Sequence, residues 1–578
     1  MKSTWASRCA CFAMAFFACI CAGSSAAPAA DPQPLHLQGD ARIRVLVDSL
    51  EGALPARMAG AGIPGLSMAI VDRDGIVWAK GFGVRSTGGT DPVTTETLFS
   101  LQSISKVVTA TAIMIAVQDG TLDLDAPVST YLPEFTVHSR FEKKPQDLMT
   151  LRHFLTHRSG LVHEAPVGSN FTRGAVTFED HIRSIGETWT LFPVGSRYKY
   201  SNLGMDLAGY ILQTVSGMPF AKYVDSRLLG PLGMSASTFD AARIMANPNR
   251  AIGAPPGGAE LVFEHGMIPC GGMYASAVDM AAFVRFHLNG GMAGSKRILG
   301  ERFVDAMTDE PFPFPGQLYG HGLGVFKMNR LAGRTLRNPF PMHGGGGFGF
   351  GANVSWLPEY GVGVVVLTNS SNSDFASSLA HAALGAILAT MGAVPETWTP
   401  WADLHETPVS RDLIVPLFGT YVQRQDWVEF GEKDGVPVFT LRDGRSFPAH
   451  FVSEREAYVE IPNTAYRTLF LFALGADNAP ACLYTVHDAD MYAYAGGPGD
   501  SPGPDKPEWE KYIGSYEWLA GGTPVLTTRI QRKNGWLYLE HMKLFEHEPG
   551  LFFLPDGEYV DLRSATPVGG GIAGRRKI

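Results

Sequence analysis

The sequence predicts an α+β protein in which strands and helices alternate first and an all-β portion follows. Three observations predict this. Two apolar runs, 66–71 and 77–83, flank an Asp-Gly turn at 72–75, the pattern of a hairpin. Apolar stretches of helical length then occur at 99–117, closed by Asp119-Gly120, and at 375–391, which is rich in alanine. Beyond 392–412, where Pro395, Pro400 and Pro408 interrupt any periodicity, short alternating runs such as 467–473, 536–540 and 559–562 replace the helices.

Taken in order along the chain, residues 1–30 read as a secretory signal rather than as fold. Lys2 and Arg8 lead an apolar stretch over 9–23, and the small residues Ser24, Ser25, Ala26 and Ala27 follow it. About fifteen apolar residues are too few for a spanning helix, which needs ~20. Export to the periplasm or the medium is therefore expected, with no integral membrane segment in the mature chain. Cys19 and Cys21 lie in poor surroundings for lipid attachment. Four of the six cysteines fall within this signal, and the remaining Cys270 and Cys482 show no spacing pattern that pairs them.

Residues 31–395 are expected to form one strand-and-helix domain: the hairpin, the 99–117 helix, a loop and helix over 197–215, a β-branched strand at 362–367 and the 375–391 helix. A linker at 396–412 leads into two β-units, 413–500 and 508–570, because Phe418-Gly-Thr-Tyr421 recurs as Ile513-Gly-Ser-Tyr516. Lys plus Arg is 47 against 56 Asp plus Glu, a net charge of −9, which disfavours nucleic acid as a partner. Glycine is 66 of 578 residues, about 11% against a usual ~7%, so the chain is globular and turn-rich.

The chemistry lies in three short stretches. Ser-x-x-Lys occurs twice, and context separates the copies. Between Thr97 and Gln118 the only charged residue is Lys106, surrounded by Ile104, Val107, Val108, Ile113, Ile115 and Val117. Burying an ammonium is costly unless it is used. On a helix Ser103 and Lys106 are one turn apart, so the lysine can hold or take the proton of a nucleophilic serine. The second copy, Ser196 to Lys199, has a loop-like context and reads as solvated. It leads into Tyr200-Ser-Asn202, where a phenol and a nearby amide could supply an acid/base and a substrate-orienting group. The third stretch is His343-Gly344-Gly345-Gly346-Gly347, whose glycines allow close backbone approach to a ligand and whose N–H groups suit an oxyanion, or which is simply a flexible loop.

In combination these motifs are more specific than any one alone. The order Ser103-x-x-Lys106, Tyr200-x-Asn202, His343-x-Gly345, with flanking Leu155-Thr-His157-Arg-Ser-Gly160-Leu and Gly271-Gly-Met-Tyr-Ala, resembles the serine β-lactamase and penicillin-binding-protein superfamily, over about residues 40–390. The nearest branches are class C-like esterases and D-amino-acid peptidases. The resemblance implies a β-lactamase-like antiparallel sheet flanked by helices with a helical subdomain, and, by likeness to two-part relatives, lipocalin-like C-terminal units that cover the active-site mouth. It implies Ser103 as acylated nucleophile, Lys106 as its proton partner, Tyr200 as base and then acid, and Asn202 as a substrate-positioning amide. Gly345 lies in the motif, and the N–H groups of Ser103 and Gly346 would form the oxyanion hole. His343 stands where β-lactamases usually carry a lysine, and a mostly neutral imidazole shifts the expectation from β-lactams to esters or D-aminoacyl peptides.

Other motifs fall away on mechanism. His153 and His157 are four apart, but Phe154 takes the place of the glutamate a zincin needs, so both read as structural. Gly344-x-Gly346-x-x-Gly349 is followed by a strand-like segment, not the helix a dinucleotide loop requires. No metal or cofactor is called for. The expected activity is that of an exported serine hydrolase on a small-molecule ester or peptide; a β-lactamase, a D,D-carboxypeptidase and a non-turnover sensor stay open as alternatives.

Overall fold

The computed structural model of the protein describes residues 33–578 apart from 171–175, 254–265, 310–318, 333, 394, 396–404, 424–425, 461–466, 475–479, 486–489, 498–502, 505, 521–522, 541, 555–556, 570–571 and 578. The expected signal at 1–30 and most of the expected linker lie outside the described residues.

Helix α1 (Ala41–Ala61) starts at Asp40, whose side chain accepts the Arg42 N–H, and stops at Gly62 in the left-handed conformation. The expected hairpin follows as β1 (Gly65–Asp72) and β2 (Ile76–Gly83). Helix α2 (Ser105–Gln118), α3 (Asn202–Ser216) and α4 (Ala277–Leu288) come next. Then β3 (Tyr319–His321), β4 (Phe326–Leu331), β5 (Arg334–Gly347), β6 (Phe350–Leu357) and β7 (Val362–Thr368) precede helix α5 (Ser373–Met391).

These seven strands form one antiparallel sheet in the order β2-β1-β7-β6-β5-β4-β3, so the N-terminal hairpin pairs with the last strand of the domain. The sheet is covered on both faces, which is why β1 and β7 are buried along their whole length. Their side chains alternate between two cores. Met68, Ile70, Val364 and Val366 pack with α1 and α5, whereas Ala69, Val71, Val365 and Leu367 pack with α2, α3 and α4. Helix α5 is long and apolar enough to cross a membrane. Ala380, Ala383, Leu384 and Ile387 nevertheless bury it in the core on the α1 side.

The expected single helix over 99–117 is broken at its start. Phe99–Ser100 is a short strand paired with Tyr274–Ala275, Gln102–Ile104 is a 3-10 turn, and the α-helix begins only at Ser105. Gln102 has φ 50°, in the left-handed region, which an uninterrupted right-handed helix does not permit.

The C-terminal part consists of two nine-stranded antiparallel meanders, from Gly419–Gln423 to Asp490–Gly496 and from Gly514–Ala520 to Ile572–Lys577. In each, the last strand pairs with the first. The sheet's two edge segments are neighbours in sequence, Ser446–Pro448 with His450–Ser453 and Met542–Lys543 with Phe545–Glu548. The sequence repeat is a structural one: Tyr421 donates its hydroxyl to Leu417 O at 2.7 Å, and Tyr516 donates to Tyr512 O at 2.8 Å. The second meander ends beyond the expected residue 570, because Ile572–Lys577 is the strand that meets Gly514–Ala520.

The second meander is docked on the first domain. Leu551, Phe553 and Tyr559 belong to the same buried cluster as Val137, Leu191 and Phe192. The Arg140 guanidinium lies 3.8 Å from the Phe553 ring centroid, and Trp189 meets Phe553 edge-on at 5.5 Å.

Candidate active site

Ser103 occupies the turn before α2, partly exposed between the buried Gln102 and Ile104. One helical turn on, Lys106 is fully buried. Its Nζ donates to Ser103 Oγ at 3.1 Å and to Cys270 O at 2.8 Å, and lies 4.9 Å from the Tyr200 ring centroid. The segment that carries Cys270 is fastened along α2, since Thr109 Oγ1 donates to Pro269 O at 2.7 Å and Met273 N donates to Ser105 Oγ at 3.1 Å. Burial pulls the Lys106 ammonium down, but Tyr200 and Cys270, and after them Asp206, outweigh it and leave the group above its ordinary value.

Tyr200 and Asn202 lie where the loop enters α3, whose N-cap is Ser201: its hydroxyl accepts the Gly204 N–H and donates to Val162 O. The Tyr200 ring is held among His157 at 4.3 Å, His163 at 5.8 Å and Phe326 at 6.0 Å. His157 also brackets it through the backbone, accepting Lys199 N–H on its carbonyl at 2.9 Å and Ser201 N–H on Nδ1 at 3.2 Å. Asn202 Nδ2 donates to Glu164 Oε1 at 3.1 Å. Burial pushes the Glu164 carboxyl up, but hydrogen bonds from His163 and Asn170 outweigh it and hold it below the usual range. A carboxylate only accepts, so the Asn202 amide is fixed with Oδ1 turned away from Glu164.

The glycine run is the end of a strand, not a loop. His343 to Gly347 pair with β6, with Gly346 opposite Gly351. A Cβ at Gly345 would overlap the Leu101 carbonyl oxygen, so only glycine lets β5 lie against the Ser103 turn. His343 is fully buried, donates Nδ1–H to Gly344 O at 2.7 Å, and has no hydrogen-bond partner for Nε2 among the described residues. Burial, with Lys106 nearby, keeps its ring neutral, well below the ordinary value. His321 and His157 complete a wall of neutral imidazoles, with ring centroids 4.4 Å apart; burial lowers His321 to about 3.

Of the seven residues expected from the sequence, Lys106 meets the Ser103 hydroxyl, Tyr200 and His343 face Lys106, and Gly345 lies against the turn before Ser103, while Asn202 is placed by Glu164 and Gly346 by its pairing with Gly351. Lys199 corrects the expectation of a solvated side chain: it is only 14% exposed and faces Glu558 of the second meander at 3.7 Å. His157, read as structural together with His153, is instead a wall of the site. His153 lies apart, at Thr150 Oγ1. Glu164 was missed, and nothing in its local pattern announces it. Cys270 and Cys482 are free and buried. Among the described residues no group of three or more His, Cys, Asp or Glu could hold a metal ion.

This geometry agrees with the comparisons. The Beta-lactamase family model matches residues 50–387, and the chain belongs to that family, whose members are serine hydrolases. It is 28% identical over 371 residues to Esterase EstB of Burkholderia gladioli, covering 56% of this chain and 90% of the esterase. It is 26% identical over 378 residues to Penicillin-binding protein 4 of Amycolatopsis lactamdurans, covering 62% of this chain and 93% of that protein. The fold is also that of the octameric penicillin-binding protein homologue from Pyrococcus abyssi, with TM-score 0.52 and 23% identity, over 77% of this chain and 99% of that one.

Proposed function

We propose that the protein is an exported serine hydrolase acting through an acyl-enzyme on a carboxylic ester or a D-aminoacyl amide. The observation that carries this reading is the fully buried Lys106 ammonium 3.1 Å from the hydroxyl of Ser103, beside the ring of Tyr200. In the proposed reaction Tyr200, supported by Lys106, takes the hydroxyl proton and Ser103 Oγ adds to the carbonyl carbon. The oxyanion rests on the N–H groups of Ser103 and Gly346. Tyr200 returns the proton to the departing alcohol or amine, the acyl–serine bond remains, and water then cleaves it by the same route.

One feature favours esters and D-aminoacyl amides over β-lactams, and a second suits an amide substrate. A neutral His343 offers an acceptor nitrogen instead of a cation for a substrate carboxylate. Asn202, with its Nδ2 committed to Glu164, has Oδ1 for a substrate N–H. The lipocalin-like second β-unit forms, in this reading, a wall of the approach to the site through Glu558 and Lys199. Export rests on the composition of residues 1–30.

The test is turnover by wild type and Ser103→Ala on a p-nitrophenyl ester, a D-alanyl p-nitroanilide and a cephalosporin. Ester or D-amide turnover lost in the variant is expected. Strong cephalosporin hydrolysis would move the substrate class to β-lactams, and acylation that stops after one equivalent would favour a sensor.

A further inference from the structure

Asp206 is the only charged residue between Tyr200 and Ala221, and it is fully buried on α3. Its Oδ1 accepts the Cys270 N–H at 2.9 Å and its Oδ2 meets His181 Nε2 at 3.1 Å. His181, on the Phe178–Ile185 helix, is equally buried, and its Nδ1 lies 2.7 Å from Val167 O. A carbonyl and a carboxylate both only accept, so both ring nitrogens carry protons and His181 is an imidazolium. Burial pulls that charge down, but Asp206 and the Val167 carbonyl outweigh it.

The line continues to the nucleophile. Cys270, whose N–H is held by Asp206, presents its carbonyl to Lys106 Nζ at 2.8 Å, and Nζ reaches Ser103 Oγ at 3.1 Å. Lys106 is faced by Tyr200, Cys270, Asp206 and the histidines 157, 321 and 343. Burial raises the Cys270 thiol well above its ordinary value, so it brings no charge, and the three imidazoles are neutral. Asp206 is the carboxylate among the described groups that face Lys106. His181 in turn faces Glu164 as well as Asp206. A buried ion pair is a poor way to gain stability, which leaves a role in the site as its better explanation.

We propose that Asp206, braced by His181, is a positioning residue that holds the Lys106 ammonium against Ser103 through the Cys270 backbone. This rests on the reading of Ser103 as nucleophile and Lys106 as its proton partner.

Asp206→Asn isolates the charge. The amide Oδ1 still accepts the Cys270 N–H, and Nδ2 donates to His181 Nε2, whose ring becomes neutral while Nδ1–H stays on Val167 O. The experiment follows the rate of covalent labelling by a fluorophosphonate probe against pH, with melting temperatures, for wild type, Ser103→Ala, Asp206→Asn and His181→Gln. Loss of the nearby anion is expected to move the alkaline limb of the Asp206→Asn profile down by about one pH unit, the low end for a charge partner. His181→Gln leaves Asp206 without its counter-charge and is expected to move the same limb up. A merely structural pair would scale the rate without moving the limb. An Asp206→Asn limb that coincides with wild type overturns the inference. If that variant does not fold, a His181→Gln limb unmoved or moved down overturns it. Equal labelling of Ser103→Ala, or none of the wild type, instead overturns the nucleophile assignment and with it the inference.

Discussion

Replacing Lys106 by methionine separates what the lysine does for chemistry from what it does for the fold. Lys106 is fully buried and donates two charged hydrogen bonds, to Cys270 O at 2.8 Å and Ser103 Oγ at 3.1 Å. At about 1.5–3 kcal/mol each, their loss costs about 3–6 kcal/mol. Against this, the substitution removes an ammonium whose effective desolvation penalty is several kcal/mol, and methionine fills the same unbranched volume. Breaking a buried ion pair usually costs ~3–5 kcal/mol because a charge is orphaned, but Asp206 keeps His181 as its partner at 3.1 Å. The two sides nearly cancel, so Lys106→Met should lie within about 2 kcal/mol of wild type. Acylation of Ser103 should fall by about 10³-fold, within the range of a lost proton-transfer group. Thermal melting by circular dichroism and fluorophosphonate labelling measure the two effects. A variant destabilised by more than about 4 kcal/mol, with Ser103 still reactive, would make Lys106 a structural residue and refute the reasoning.

Gly345→Ala places a methyl group on the Leu101 carbonyl and pushes the Ser103 turn away from β5; a loss of about 10²-fold in kcat is expected for misplacement of that order, and wild-type turnover would show that the strand does not fix the nucleophile. Burial lowers His287 and His321 to about 3, below the ordinary 6.5 that each regains on unfolding. Below pH 6.5 the unfolded chain therefore binds protons that the folded chain refuses. Stability is complete above pH 6.5 and falls as the solution is acidified, by about 2 kcal/mol per histidine between pH 6.5 and 5. Urea unfolding at pH 7 and pH 5 checks this, and equal midpoints contradict it.

Much of the site was legible because its chemistry contradicts its surroundings. A lone lysine in an apolar helix has a cost that demands use, and this singled out Lys106 over the copy at Ser196–Lys199. The same rule applied to the 197–215 segment would have found Asp206, the one charge among Leu203, Met205, Leu207 and Ile211. The left-handed Gln102, which breaks the helix before Ser103, left no mark, because strain at one residue is set by tertiary contacts rather than by residue type. Glu164 was not legible for a related reason. It acts on Asn202 across 38 positions, and only the fold brings the two together. The hairpin was predictable from local alternation, whereas its pairing with β7, nearly three hundred residues away, was not.

The C-terminal meanders are better understood from their interiors and outer faces than from their outline. The interior of a small rolled antiparallel sheet can be filled by side chains or can hold one small ligand. The first meander is of the filled kind. Phe439 stacks on Phe470 at 4.3 Å and meets Phe430 at 4.6 Å, and Phe430 meets Phe472 at 4.9 Å. The second meander directs Leu551, Phe553 and Tyr559 into the core of the catalytic domain, beside Leu191 and Phe192. A Cβ at Gly557 would overlap the Leu191 carbonyl oxygen, so this turn lies directly on the catalytic domain's backbone. A module kept only for solubility would gain nothing from burying three large apolar side chains in its neighbour. The residue next to Gly557 is Glu558, and the lysine it faces is next to Tyr200. The second meander thus packs through its outer surface beside the Tyr200 loop, with Glu558 facing Lys199.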